Sequence, residues 1–235
     1  MLNLMPAADW VAFILFLAAW LFYRPFMGLV SRGQSINAHM VTVRRHWMGM
    51  MLRRDNRIAD TNLLGHALTT ATFFASTNLL IIAAVIGALF GGEGLWNAIS
   101  SFSILAKSSH ILFDLKLSLI VLTMARGLLD FIWGIRQINY LLAVIGAAPP
   151  VEEHPEYSAA AASLMNPAMS AINSGVRGYY FALAAGAWLF SPYSAIAATI
   201  GAVALLLNRQ LNSPASQAVA RIKKVLDEQG AGRPQ

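Results

Sequence analysis

Two stretches without a charged side chain, Thr61 to Gly92 (32 residues) and Gly178 to Asn208 (31 residues), restrict the fold of this chain more than any other feature. Crossing the hydrocarbon of a bilayer takes about 20 mostly apolar residues. Charged residues make up 12% of the 235, against about 25% in an ordinary soluble domain. A hydrophobic share of 57% excludes intrinsic disorder, which needs low hydrophobicity and high charge. The chain therefore reads as an all-α, polytopic integral membrane bundle.

Charge placement sets the expected topology. The net charge of +6 comes from 17 Lys and Arg against 11 Asp and Glu. These cations border hydrophobic spans, so a membrane surface explains them better than nucleic acid, and no nucleic-acid partner is expected. Met1 to Ala8 lacks the basic start and small-residue cleavage site of a signal peptide, so Trp10 to Tyr23 is expected to stay as the core of a first span. Pro25 is expected to kink that helix near its end. Five spans are predicted, near 8–30, 62–90, 111–131, 172–190 and 193–208, within a membrane domain 1–210. A four-span alternative makes the last stretch one helix. A hairpin at Ser191-Pro192-Tyr193 is preferred because it keeps Arg209, Arg221, Lys223, Lys224 and Arg233 on the same side as the arginine-rich segment 31–61. That rule places the N-terminus outside and the C-terminus in the cytoplasm.

Between the first two spans, Met40, Val43, Trp47, Met51, Arg54 and Ile58 recur at helical spacing. They predict an amphipathic helix, lying either in the membrane interface or packed on the rest of the protein. Arg44, Arg45, Trp47, Arg53, Arg54 and Arg57 are the candidate contacts to anionic lipid headgroups or partners. A break or kink is expected at Asn166-Pro167, and a short interfacial helix in the loop 91–109 that holds Trp96 and Lys107. The segment Pro149 to Glu156 reads as a loop. The tail 211–235 reads as a short amphipathic cytoplasmic helix, capped by Ser213 with Pro214 in its first turn.

The run Arg44-Arg45-His46-Trp47-Met48, with Arg53, Arg57-Ile58-Ala59-Asp60-Thr61-Asn62-Leu63-Leu64-Gly65 and Phe73-Phe74-Ala75-Ser76-Thr77, resembles the membrane proteins grouped as domain of unknown function 599, found in bacteria and plants. The resemblance runs from the first span through the last. It implies a multi-span helical protein and, for a bacterial member, the inner membrane. It carries over no activity, cofactor or catalytic residue.

Polar groups inside the spans are the candidate site. Asn62, Thr69, Thr72 and Ser76 lie with His66 on one face of the second span. Arg126 and Asp130 are four apart on the third helix and could pair. By depth, His66 falls at a similar level, so the three could form a proton-responsive cluster. The plainer alternatives are an interfacial ion pair with Arg126 reaching outward and a histidine satisfied by Asn62 or a carbonyl. His110 with Asp114, and His39 with His46, are weak metal-ligand pairs because a site needs three or four ligands. No metal or cofactor is expected. Small residues at Ala83, Gly87 and Gly91, at Ala182 and Gly186, and at Ala197 and Gly201 allow close helix packing and a homo-oligomer. No motif for hydrolysis, zinc proteolysis or phosphate binding is present. The expectation is a non-enzymatic membrane protein: a small transporter or channel-like protein with a polar path along the second and third spans, or a structural or assembly protein working through its arginine-rich helix.

Overall fold

A computed structural model describes residues 5–91, 109–149 and 156–231. The described residues are helical and contain no strand. In chain order the helices are α1 (Ala7–Ser31), α2 (Ile36–Leu52), α3 (Ile58–Leu89), α4 (His110–Gly146), α5 (Tyr157–Ala187), α6 (Pro192–Leu211) and α7 (Pro214–Ala231). The expected interfacial helix in loop 91–109 falls at residues 92–108, outside the described residues, as does most of the Pro149–Glu156 loop.

Local chemistry sets the boundaries. Between α1 and α2, Gly33 takes a left-handed φ of 81°, which a glycine adopts without steric cost. Ser35 then caps α2, its hydroxyl accepting from the Ala38 N–H at 3.3 Å. The predicted amphipathic helix through Ile58 is corrected here. α2 stops at Leu52, where the N–H groups of Arg53 and Arg54 close on the carbonyls of Met50 and Met51. Asn56 then accepts from the Ile58 N–H at 2.9 Å and opens α3, so Arg54 and Ile58 do not share the α2 face. Of the break or kink expected at Asn166-Pro167, the break does not occur: α5 is continuous through Pro167. It begins at Tyr157, well before the expected span start at 172, and ends at Ala187. Ser191 caps the next helix at its Pro192 start, accepting from the Ser194 N–H at 3.0 Å. Ser213 caps α7 in the expected way, at 3.1 Å from the Ser216 N–H.

Three helical segments are long and apolar enough to cross a membrane: Ala7–Ser31, Ile58–Leu89 and Pro192–Gln229. Their surfaces support that reading. Leu29, Leu80 and Phe90 are 77%, 71% and 81% exposed, an apolar surface that water would not tolerate but lipid would. The protein is an integral membrane helical bundle.

The chain forms two compact units. The first comprises Met1–Met27, Ala75–Leu129 and Ser174–Leu206. Its core holds Phe16 and Tyr23 from α1, Met124 from α4, Phe181 from α5 and Trp188 just beyond the α5 end. Here α4 and α5 approach closely: a Cβ on Gly178 would sit 3.4 Å from the Gly127 Cα. The second unit comprises Gly28–Phe74, Asp130–Asn173 and Leu207–Gln235. Its core holds Met48, Met51 and Leu52 from α2, Leu64 from α3, Leu141 and Ile145 from α4, and Met165 from α5. The tail helix α7 packs on α2 within this unit.

Candidate functional site

The arginine-rich segment is built largely into the second unit. Asp60, in the first turn of α3, is fully buried, where the helix N-terminus favours a carboxylate. Its Oδ1 accepts from Trp47 Nε1 at 2.6 Å and from Arg54 Nη1 at 2.5 Å. Charge-assisted bonds of this kind are about twice as strong as neutral ones. Arg57 donates to the carbonyls of Ala148 at 2.8 Å, Ile145 at 3.3 Å and Pro149 at 3.4 Å. A cation thus meets carbonyls at and just beyond the α4 C-terminus, the negative end of the helix dipole. Arg44 is buried and donates to Asn166 Oδ1 at 3.3 Å, and burial pushes its guanidinium down from its ordinary value. Asn173 Nδ2 reaches Asn37 Oδ1 at 3.1 Å. Four of the six candidate contacts, Arg44, Trp47, Arg54 and Arg57, therefore have partners inside the protein, while Arg45 and Arg53 are exposed. With Met48 and Met51 fully buried, α2 packs on the protein along that face.

The expected cluster of His66, Arg126 and Asp130 draws on residues of both units. No hydrogen bond or ion pair joins any two of them. Arg126 falls in the first unit, and His66 and Asp130 in the second. Four-residue spacing permits an Arg126–Asp130 pair, but the Arg126 guanidinium lies instead over the Trp20 ring, 5.7 Å from its centroid. His66 is exposed, and so are Asn62, Thr69, Thr72 and Ser76. The Thr69 hydroxyl donates back to the Gly65 carbonyl at 3.0 Å. The stripe thus faces outward from the chain. An open groove of about 440 Å³ in the first unit is lined by Ile81, Ile120, Met124, Tyr179, Leu183, Phe190 and small residues of α5 between them. No stripe residue lines it, and it is almost wholly apolar.

Two polar features of the first unit escape a reading by spacing. Asp9, Lys116 and Trp188 meet from α1, α4 and the end of α5. Trp188 Nε1 donates to Asp9 Oδ1 at 2.7 Å, and Lys116 Nζ lies 3.8 Å from the same oxygen and 5.6 Å from the indole centroid. A lysine inside an apolar helix was the available signal, because such a group needs a partner. Asn78 is the second. It is buried beside the Gly127–Gly178 crossing, and neither amide atom has a hydrogen-bond partner among the described residues. His110 Nδ1 pairs with Asp114 Oδ2 at 3.0 Å. Among the described residues, no three histidine or acidic side chains converge as a metal site would require.

The family model described as "Protein of unknown function, DUF599" matches residues 11–215. No curated protein and no solved structure matches the chain.

Proposed function

The chain belongs to the family of proteins of unknown function DUF599, and from that premise we propose that it is a non-catalytic membrane scaffold that self-associates through the polar face of α3. One observation carries the reading: Asn62, Thr69, Thr72 and Ser76 form an exposed polar stripe on a helix apolar enough to span the membrane. Thr69 satisfies its own hydroxyl, but among the described residues no hydrogen bond is made by the side chains of Asn62, Thr72 or Ser76. In hydrocarbon, such groups favour a protein partner, and each interhelical bond contributes about 0.6 to 2 kcal/mol. Amides and hydroxyls both donate and accept, so the face is self-complementary and suits a two-fold pairing of identical chains.

In this reading the protein has five spans in the inner membrane, with the N-terminus outside and the C-terminus in the cytoplasm. The asymmetry between cationic and uncharged segments supports that orientation. Exposed Arg45 and Arg53 add attraction for anionic headgroups, and no nucleic acid is involved. A transport reading would need its path between copies, since the stripe lies outside the apolar groove.

The absence of cysteine gives a direct test. Single cysteines at Thr69 and Ser76 should give disulfide-linked dimers in membranes, and one at the exposed Ile200 of α6 should not. A monomeric mass in nanodiscs together with no cross-linking at either α3 position would overturn the proposal.

A further inference from the structure

We propose that Arg126 and Arg177, held on one face of α1, form a binding site for the phosphate of an anionic phospholipid in the leaflet bordering the arginine-rich segment. Trp20 and Tyr23 lie three apart on α1 and so share a face. Arg126, from α4, sits over Trp20 at 5.7 Å from the ring centroid, and Arg177, from α5, sits over Tyr23 at 5.1 Å. All four residues lie within the first unit.

Three features of this group call for an anion. Arg126 and Arg177 adjoin the close Gly127–Gly178 approach of α4 and α5, so two cations from different helices border one place; each ring contact contributes about 0.5–1 kcal/mol, and Arg177 Nη2 also donates to Ser174 Oγ at 2.9 Å. Arg126 is exposed and makes no ion pair among the described residues. Tyr23 is only 4% exposed, yet its hydroxyl has no hydrogen-bond partner among the described residues. A phosphate would supply negative charge to both planar forks and an acceptor to that hydroxyl. Position selects a lipid over a soluble anion. Arg24 follows Tyr23 directly, and the chain turns from the apolar span to the arginine-rich segment within this helix. The site therefore lies at headgroup level, where lipid phosphates are concentrated, beside helices whose apolar side chains face acyl chains.

The test uses the full-length protein in neutral detergent, titrated with phosphatidylglycerol, phosphatidylcholine or inorganic phosphate. Binding is read by native mass spectrometry and by the shift in thermal unfolding. Phosphatidylglycerol should be retained and should raise the unfolding temperature; phosphatidylcholine and inorganic phosphate should do neither. Arg126→Gln with Arg177→Gln should weaken the apparent affinity about 25-fold, at about fivefold per arginine. Removing two exposed charges elsewhere, by Arg221→Gln and Lys224→Gln, should leave it unchanged. Tyr23→Phe keeps the ring and the fold and should weaken retention severalfold, which keeps the proposal testable if the double variant fails to fold. Equal affinity in the double variant, or in Tyr23→Phe should the double variant not fold, would overturn the site. Equal retention of phosphatidylcholine would overturn the anion requirement. A response to inorganic phosphate matching that to the lipid would overturn the assignment to a headgroup.

Discussion

Lys116 Nζ lies 3.8 Å from Asp9 Oδ1 inside the first unit, and the Trp188 indole donates to that same oxygen. Lys116 is 1% exposed and Asp9 is 5% exposed, so neither charge can shed its cost into water. The pair links α1 to α4, and the indole adds the end of α5.

Removing one partner strands the other. Asp9→Asn should destabilise the detergent-solubilised protein by about 3 kcal/mol, the range found when a buried pair loses one charge. Lys116→Met should cost less, because the Trp188 indole still bonds the remaining carboxylate. The double variant Asp9→Asn with Lys116→Met should recover part of the Asp9→Asn loss. Denaturant unfolding of the four proteins measures the coupling, and additive losses would show that the two charges do not interact.

Asp60 supports a second prediction. Its Oδ1 takes two donors, from Trp47 and Arg54, at a fully buried position. Asp60→Ala should cost about 3 kcal/mol, through loss of the carboxylate and the stranding of the Trp47 N–H. Trp47→Phe removes one charge-assisted bond and should cost about 2 kcal/mol from that bond alone. Unfolding monitored by circular dichroism in detergent separates these values, and a neutral Asp60→Ala would show that the carboxylate does not hold α2 to α3.

Asp60 also marks where the sequence could be read and where it could not. The two uncharged stretches reveal the membrane bundle because the bilayer demands length and apolarity, and both are local properties. The cap at Ser213 and the turn at Ser191-Pro192 are local as well. Partner choice is not. Arg54 fits the periodicity of a single amphipathic helix, but the chain breaks at Arg53 and Arg54 and carries that arginine to Asp60. Arg126 has Asp130 at helical spacing and rests on Trp20, more than 100 residues away in sequence. Proline rules likewise address a lone helix. Pro167 forfeits one backbone bond, yet neighbouring Ala161, Ala162, Met165 and Ala168 are buried in packing and α5 continues through it.

Glycine positions separate tight packing from free surface. A Cβ on Gly134 would meet Ile172 Cγ1 at 2.7 Å and the Ala168 carbonyl oxygen at 3.1 Å. The side chain can turn away, but the carbonyl belongs to the α5 backbone. Gly134→Ala should therefore cost about 1–3 kcal/mol as overpacking. Gly49 of α2 has nothing within 4 Å of its Cβ position, so Gly49→Ala should instead stabilise by up to about 1 kcal/mol through helix propensity. Thermal unfolding in detergent compares the two, and a Gly134→Ala variant as stable as the parent would show that α4 and α5 can separate at little cost.

The last prediction concerns Arg126, whose spacing favours Asp130 and whose guanidinium lies over Trp20. A cation–π contact at an exposed site contributes about 0.5–1 kcal/mol. The two possible partners therefore give opposite double-mutant cycles. The cycle of Arg126→Gln with Asp130→Asn should read close to zero coupling, since no ion pair joins the residues. The cycle of Arg126→Gln with Trp20→Leu should read a coupling of about 0.5–1 kcal/mol. Salt adds a second readout: added sodium chloride weakens an exposed ion pair between two full charges, and it should weaken the contact of one cation with a neutral ring less. Strong coupling to Asp130 that falls with salt, and none to Trp20, would return Arg126 to its helical neighbour and remove it from the face of α1.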